Sequence, residues 1–262
     1  MKTSDLFRLD GRVALITGAA GHLGRAMSRA LAEAGAHVIL NGRDESRLRD
    51  FEGELEAAGL SAEHAAFDVT DPQLHAKVAR YPRLDIIVNN AVTMTPKGMS
   101  GLEASDFEET YRSAVTAAFE IVRAALPALR AAVGKAGEAS IINVSSMYGA
   151  VAPDARVYSR PEQASPLHYG PAKAALLQLT RHLAAELGHE KIRVNSLMPG
   201  PFPRAEVGQR DPDFLNRLAA RTMLGRTGEA PEMRGPLLFL ASPASSYVTG
   251  TTLVVDGGWT AW

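Results

Sequence analysis

Val13-Ala14-Leu15-Ile16-Thr17, running directly into Gly18-Ala19-Ala20-Gly21-His22-Leu23-Gly24 and then Arg25–Ala34, is the stretch that decides the fold. Five residues rich in branched apolar side chains predict a buried strand, and the run after Gly24 carries a helical period. Glycines between them allow a tight turn, let backbone approach a bound anion and let the helix pack on the strand. The start of the helix then presents free N–H groups and a partial positive charge to a pyrophosphate. A glycine pattern alone is a weak signal. Between a strand and a helix, at the head of an alternating chain, it is a strong one.

The alternation continues outward from this stretch. Strands are expected at Val13–Thr17, His37–Asn41, Glu63–Phe67, Asp85–Asn89, Ser140–Ser145, Arg193–Leu197 and Leu253–Asp256. Helices are expected near 23–34, 44–58, 71–80, 103–130, 170–187 and 229–241. Several strands are continuously apolar, as strands buried on both faces of a parallel sheet are. The expectation is an α/β fold: a single-domain, Rossmann-like, doubly wound parallel sheet of about seven strands with helices on both faces.

Composition excludes several function classes. The 262 residues carry a net charge of −1 with both signs interspersed, so no basic stripe exists to hold nucleic acid or an anionic membrane. There are no cysteines, which removes disulfide and thiolate chemistry and suits a cytoplasmic location. Residues 1–10 are too charged for a signal peptide, and no apolar run reaches membrane-spanning length. No metal site is expected.

The end of the second strand bears on the nucleotide. An NAD site usually offers an acid there for the ribose 2′-hydroxyl. Here the chain reads Leu40-Asn41-Gly42-Arg43, and the Arg43 guanidinium could instead pair with a 2′-phosphate. NADP is therefore expected over NAD. Asp44 and Glu45 are read as the opening of the next helix.

Tyr169 and Lys173 stand four residues apart, on one face of the expected helix 170–187, and no other of the six tyrosines has a lysine so placed. An ammonium beside a phenol lowers the phenol's pKa from about 10 and fits it for proton exchange with an alcohol or ketone oxygen. A shift of about 3 units needs roughly 4 kcal/mol, more than one lysine supplies, so a cationic nicotinamide would have to contribute.

With Thr17–Gly24, Asp68-Val69, Asn89-Asn90-Ala91, Ser145-Ser146, Tyr169/Lys173, Pro199-Gly200 and Val255–Gly258 in this order, the chain resembles the short-chain dehydrogenase/reductases over residues 8–259. The resemblance implies catalytic roles for Ser146, Tyr169 and Lys173. Ser146 would hold the substrate oxygen, Tyr169 would exchange the proton, and Lys173 would bind nicotinamide ribose hydroxyls while tuning the tyrosine. Ser145 is the alternative serine; only one of two neighbours on a strand should face the site. The cofactor-binding set it implies is Gly18, Gly21, His22, Leu23, Gly24, Arg43, Asp68, Val69, Asn89, Ala91, Tyr169, Lys173, Pro199, Gly200 and Phe202. Asp68 would bond the adenine, unless it caps the following helix, a task Asp71 also suits. There are departures: His22 stands at the family's middle glycine, Val92 follows Asn-Asn-Ala in place of a glycine, Ala114 replaces the asparagine that anchors a proton-relay water, and Arg204 replaces a threonine.

Ser146 and Tyr169 are further apart than the family norm, and the intervening segment, 150–168, carries Arg156, Tyr158, Arg160, Glu162, Gln163 and His168. It is expected at the mouth of the site, where its polar groups suggest a small polar substrate. Arg156, Arg160 or Arg204 could hold an acidic group, and His168 is a candidate second acid/base. Residues 201–225 are expected to form a substrate flap. Trp259 and Trp262, both in the C-terminal tail, suggest contact between subunits of a homo-oligomer, a tetramer or dimer. Leu40–Asp44 resembles the gluconate 5-dehydrogenase branch, so a secondary alcohol/ketone conversion on a sugar acid or derivative is expected. The alternatives are a ketoreductase of acyl or polyketide chains, and an NADP-binding sensor or scaffold that has lost turnover.

Overall fold

The computed structural model describes residues 2–159 and 164–262. Seven strands, β1 (Val13–Ile16), β2 (His37–Gly42), β3 (Ala62–Ala66), β4 (Ile86–Asn89), β5 (Ala139–Val144), β6 (Ile192–Pro199) and β7 (Thr252–Val255), form one sheet in the order β3-β2-β1-β4-β5-β6-β7. Every neighbouring pair is parallel. The helices are α1 (His22–Glu33), α2 (Glu45–Ala57), α3 (Leu74–Ala79), α4 (Ala104–Tyr111), α5 (Ala117–Ala136), α6 (Tyr169–Leu187), α7 (Ala205–Arg210), α8 (Pro212–Ala220) and α9 (Arg234–Ala241).

Successive strand residues point to opposite faces, and each face builds its own core. Leu15, Ile39, Ile87, Ile141 and Val194 pack with Ile121, Leu129 and Leu187 on one side. Ile16, Val38, Leu40, Val88 and Ile142 pack with Met27, Leu31, Phe51 and Leu237 on the other. β4, β5 and β6 are buried throughout, whereas the edge strand β7 is not. Strand order reverses between β1 and β4, so a crevice opens at their carboxyl ends.

The expected helices differ from the structure in informative ways. The 103–130 stretch divides into α4 and α5 around a π-helical turn, Arg112–Thr116, and α5 runs on until Gly137 ends it at φ 83°. The flap contains two helices: Asp211 accepts from the Phe214 N–H at 2.8 Å and Pro212 begins α8, a start signal readable in the sequence. Trp259 corrects the expected role of the tail. It is 2% exposed and packs with Met147, Val157 and Leu218, so only Trp262 presents its ring to solvent.

Candidate active site

The turn after β1 is assembled around close backbone approach. Gly18 has φ 64°, and a Cβ there would lie 2.8 Å from the Asn90 amide nitrogen. A Cβ on Gly24 would fall 2.1 Å from the Gly18 carbonyl oxygen. Gly21 is the N-cap of α1, and His22 and Leu23 open the helix. Its own hydrogen-bond ladder begins with the Arg25 N–H on the Gly21 carbonyl at 2.9 Å, leaving the first-turn N–H groups ahead of it.

Two residues absent from the expected site set lock this turn to β4. The Thr17 hydroxyl accepts from the N–H groups of Asn90 and Ala91 at 2.9 and 3.0 Å. The Asn90 amide donates to the Thr17 and Gly18 carbonyls at 3.0 and 3.2 Å. Both lie inside motifs already singled out, but only the fold reveals that they face each other.

At the end of β2 the Arg43 guanidinium is largely exposed and 3.9 Å from Asp68 Oδ2. Asp68 Oδ1 accepts from the N–H and hydroxyl of Thr70, both at 2.8 Å, which fixes the carboxylate at the crevice rim. It does not cap α3; Asp71 accepts from the Gln73 N–H at 2.7 Å just ahead of that helix. Val69 is buried in the adjoining core. Asp44 caps α2 through the Arg47 N–H at 3.1 Å. Arg47 itself, another unanticipated residue, reaches the Ala20 carbonyl at 3.3 Å.

Asn89 also bonds within the sheet. Its amide donates to Asn143 Oδ1 at 2.8 Å, and Asn143 donates to the Thr180 hydroxyl at 2.9 Å. The side chain therefore ties β4 to β5 and α6. The Phe202 ring lies against Gly228 and the adjoining core. Pro199 ends β6, and the Gly200 N–H donates to the Val255 carbonyl at 2.9 Å.

β5 and α6 bring the catalytic candidates together. Ser145 donates to the Lys173 carbonyl at 2.9 Å and is buried, so it fastens the strand to the helix. Ser146 caps the next turn, accepting from the Tyr148 N–H at 3.2 Å, which leaves its own hydroxyl proton for another acceptor. Its hydroxyl meets Tyr169, the first residue of α6. The approach is close because Gly149 and Gly170 carry no side chain: a Cβ on either would lie within 3 Å of the other segment's backbone.

One electrostatic expectation is corrected. Burial pushes the Tyr169 phenol above its ordinary value, and the Ser146 hydroxyl pulls it partly back. Lys173 is buried and lowered to about 8 by desolvation. Its ammonium lies 5.7 Å from the Tyr169 ring centroid and donates to the Val144 carbonyl at 2.7 Å. The lysine alone does not depress the phenol, because both groups occupy the same dehydrated corner and burial disfavours both charges.

The substrate side differs most from expectation. Arg156 is 85% exposed and paired with Asp154 at 2.8 Å, which Arg221 also approaches at 3.2 Å. Those partners hold Asp154 at about 2. Arg156 thus shapes the loop rather than aiming into the site, while Arg160, Glu162 and Gln163 lie outside the described residues. The Tyr148 and Tyr158 hydroxyls meet at 2.5 Å, and Tyr158 stacks on Phe214 of α8 at 5.6 Å. Burial, Tyr158 and the nearby Tyr169 all keep the Tyr148 phenol neutral. A cavity of about 890 Å³ opens between Lys97–Ser100, Tyr148–Pro153 and Pro166–Leu167, with a mostly apolar lining. That is less polar than the segment's composition suggested. Val92 and Ala114 pack together with Ala172, so Val92 adds its bulk to a helix cluster. Arg204 stands at the N-cap position of α7 without a side-chain bond to it and is exposed. Among the described residues, no three His, Cys, Asp or Glu side chains are grouped to hold a metal.

Residues 18–260 match the family model described as enoyl-(acyl carrier protein) reductase. Similar proteins include gluconate 5-dehydrogenase of Gluconobacter oxydans, 35% identical over 98% of both chains. Another is the rhamnolipid-biosynthesis 3-oxoacyl-[acyl-carrier-protein] reductase of Pseudomonas aeruginosa, 35% identical over 96% of this chain and 97% of its own. The structure of a Burkholderia cenocepacia gluconate 5-dehydrogenase in complex with NADP and tartrate is 34% identical and superposes with a TM-score of 0.85 over the whole of both chains. A glycine turn at the head of the sheet and a Ser/Tyr/Lys constellation on β5 and α6 thus occur in a chain that matches these oxidoreductases end to end: it belongs to the short-chain dehydrogenase/reductase family.

Proposed function

We propose that the protein is an NADP-dependent oxidoreductase that interconverts a secondary alcohol and a ketone on a sugar acid or related polyol. The observation that carries this reading is the meeting of Ser146, Tyr169 and Lys173 beside a crevice headed by the Gly18–Gly24 turn. The residues present fit a 2′-phosphorylated dinucleotide. The N-terminus of α1 suits a pyrophosphate, the exposed Arg43 would pair with a ribose 2′-phosphate, and Asp68 Oδ2 would accept from an adenine amine. Gly18, Gly21, His22, Leu23, Gly24, Ala91, Pro199 and Gly200 would border it.

NADPH, held along the Gly18–Gly24 turn, would supply the hydride for the carbonyl carbon. The chain's own part is to hold the carbonyl oxygen and deliver its proton. Ser146 donates a hydrogen bond to that oxygen as charge develops, and Tyr169 transfers its phenolic proton there. Lys173, desolvated and poised near 8, stabilises the phenolate left behind once a ligand completes its surroundings. In the oxidative direction each transfer reverses. The paired Tyr148 and Tyr158 hydroxyls support a hydroxyl-bearing substrate.

The mostly apolar cavity beside 150–168 favours a second reading, reduction of a 3-oxoacyl chain, which is also the activity named for the Pseudomonas aeruginosa relative. A homo-oligomer, tetramer or dimer, is supported by the exposed Phe107, Tyr111 and Phe119 on α4 and α5. A cytoplasmic location accords with the absence of cysteine. No helix among the described residues is long and apolar enough to cross a membrane.

The test is NADPH and NADH oxidation against 5-keto-D-gluconate and against an acetoacetyl thioester. The expected result is faster turnover of the keto acid with NADPH. Tyr169→Phe should lower that rate by about 10³-fold, within the span of general acid catalysis, with NADPH affinity unchanged. Thioester reduction alone selects the second reading, and a fully active phenylalanine variant rejects the mechanism.

A further inference from the structure

His168 precedes the tyrosine of the constellation, yet it does not face the crevice. It is 1% exposed, and both ring nitrogens are engaged. Nε2 lies 3.1 Å from the Thr95 carbonyl and Nδ1 lies 3.0 Å from the Thr110 hydroxyl of α4. The Phe107 ring packs edge-on against it at 5.9 Å. A second acid/base role is thereby excluded, since no nitrogen remains for a substrate.

The contacts converge on one segment. Thr93–Lys97 follows directly from Ala91 and Val92, and its Lys97 lines the 890 Å³ cavity across from Tyr148. Thr95 is held by His168. Thr93 is held by Thr110 through its carbonyl at 2.9 Å and by Ser113 through its N–H at 3.0 Å. We infer that His168 is a positioning residue, which fixes the Thr93–Lys97 segment, between the Asn89–Ala91 motif and the 890 Å³ cavity that Lys97 lines, to the start of the catalytic helix.

Counting protons sharpens the role. A carbonyl only accepts, so Nε2 must carry the proton toward Thr95. The Thr110 hydroxyl has one proton and two neighbours, the Thr93 carbonyl and Nδ1. With a neutral imidazole only one of those contacts can form. With an imidazolium, Nδ1 donates to Thr110, Thr110 donates to Thr93, and all three bonds coexist. The charged groups around the ring are Asp106 of α4, which feels it, and Lys97, bound to both Asp106 oxygens at 2.9 Å. Glu108, Tyr111 and Arg112 line the adjoining surface. All three bonds thus hold together only with a doubly protonated ring, and a neutral ring leaves the segment one bond short.

Amide hydrogen exchange of the 91–98 segment in the full protein tests this without any substrate. His168→Leu should speed exchange there by about five- to tenfold, the effect of one lost hydrogen bond, and His168→Gln, which keeps a donor for Thr95, should restore most of the protection. NADPH affinity should stay within about twofold in both, whereas KM for 5-keto-D-gluconate should rise more than kcat falls. Thr110→Val probes the same bond from α4 and should reproduce the loosening. Unchanged exchange in both His168→Leu and Thr110→Val, no rescue by glutamine, or an equal loss of NADPH affinity overturns the assignment. The kinetic arm rests on the proposed keto-acid activity and the exchange arm does not, so an inactive wild type would count against the substrate alone.

Discussion

The nucleotide end of the crevice and its substrate cover are built on different principles. At the nucleotide end the contacts are local or between adjacent strands. Gly18 and Gly24 meet within one turn, Thr17 faces Asn90 across the β1/β4 pair, and Asp68 bonds Thr70 two residues away. The cover is assembled from pieces far apart in the chain. Met147 and Val157 from the segment after β5, Leu218 from α8 and Trp259 from the tail share one small core. Backbone geometry and ion pairs make the first region; buried apolar area makes the second. Binding of the dinucleotide and binding of the substrate should accordingly be separable by mutation.

The largest expected effect lies at the junction of the two regions. Lys173 is buried with one carbonyl partner and is lowered from 10.5 to about 8. That shift corresponds to a folding cost of about 3 kcal/mol at most. The cost is present in full below about pH 8, where folded and unfolded states both bind the proton, and is relieved as pH rises toward 10.5. Lys173→Met should abolish turnover yet raise stability by up to about 3 kcal/mol at neutral pH, and chemical denaturation should lose its rise between those pH values. A less stable variant would mean that the ammonium is better compensated than its surroundings indicate.

Trp259→Ala should break the cover. Removing a buried tryptophan costs about 3 kcal/mol, read as a lower Tm and a higher KM for the keto acid with little change in NADPH affinity. Equal losses of both affinities would show that the two regions fold as one unit. The smallest effect belongs to Arg43→Ala. An exposed, charge-assisted contact to a 2′-phosphate is worth about 1.5 kcal/mol, so NADPH affinity should fall about tenfold while NADH affinity holds. Equal binding of the two cofactors by the wild type would remove the assigned role.

Much of this was legible in the chain before folding. All seven strands fall within a residue or two of their expected places, because continuous apolar runs between glycine turns and helical periods leave few alternatives. The turn after β1 and the Tyr169/Lys173 spacing could be read because each lies within one element. The helices of the flap were missed although Asp211-Pro212 marks the start of α8, because α7 and α8 are only 6 and 9 residues long, too short for a helical period to stand out. The pairing of Arg156 with Asp154 was missed because composition counts an arginine as a potential ligand without regard to its neighbours.

The order of residues by itself determined the layered architecture, the glycine turn, the arginine at the end of β2 and the presence of a tyrosine with a lysine one turn later. Those depend on periods of two or 3.6 residues and on local backbone sterics. Tertiary structure alone decided that Ser145 fastens a helix while Ser146 meets Tyr169, that Asn89 bonds Asn143, and that Trp259 is buried. It also decided that Tyr169 and Lys173 are both shifted toward their neutral forms. Solvent exclusion is a property of everything packed around a group, and no spacing along the chain reports it.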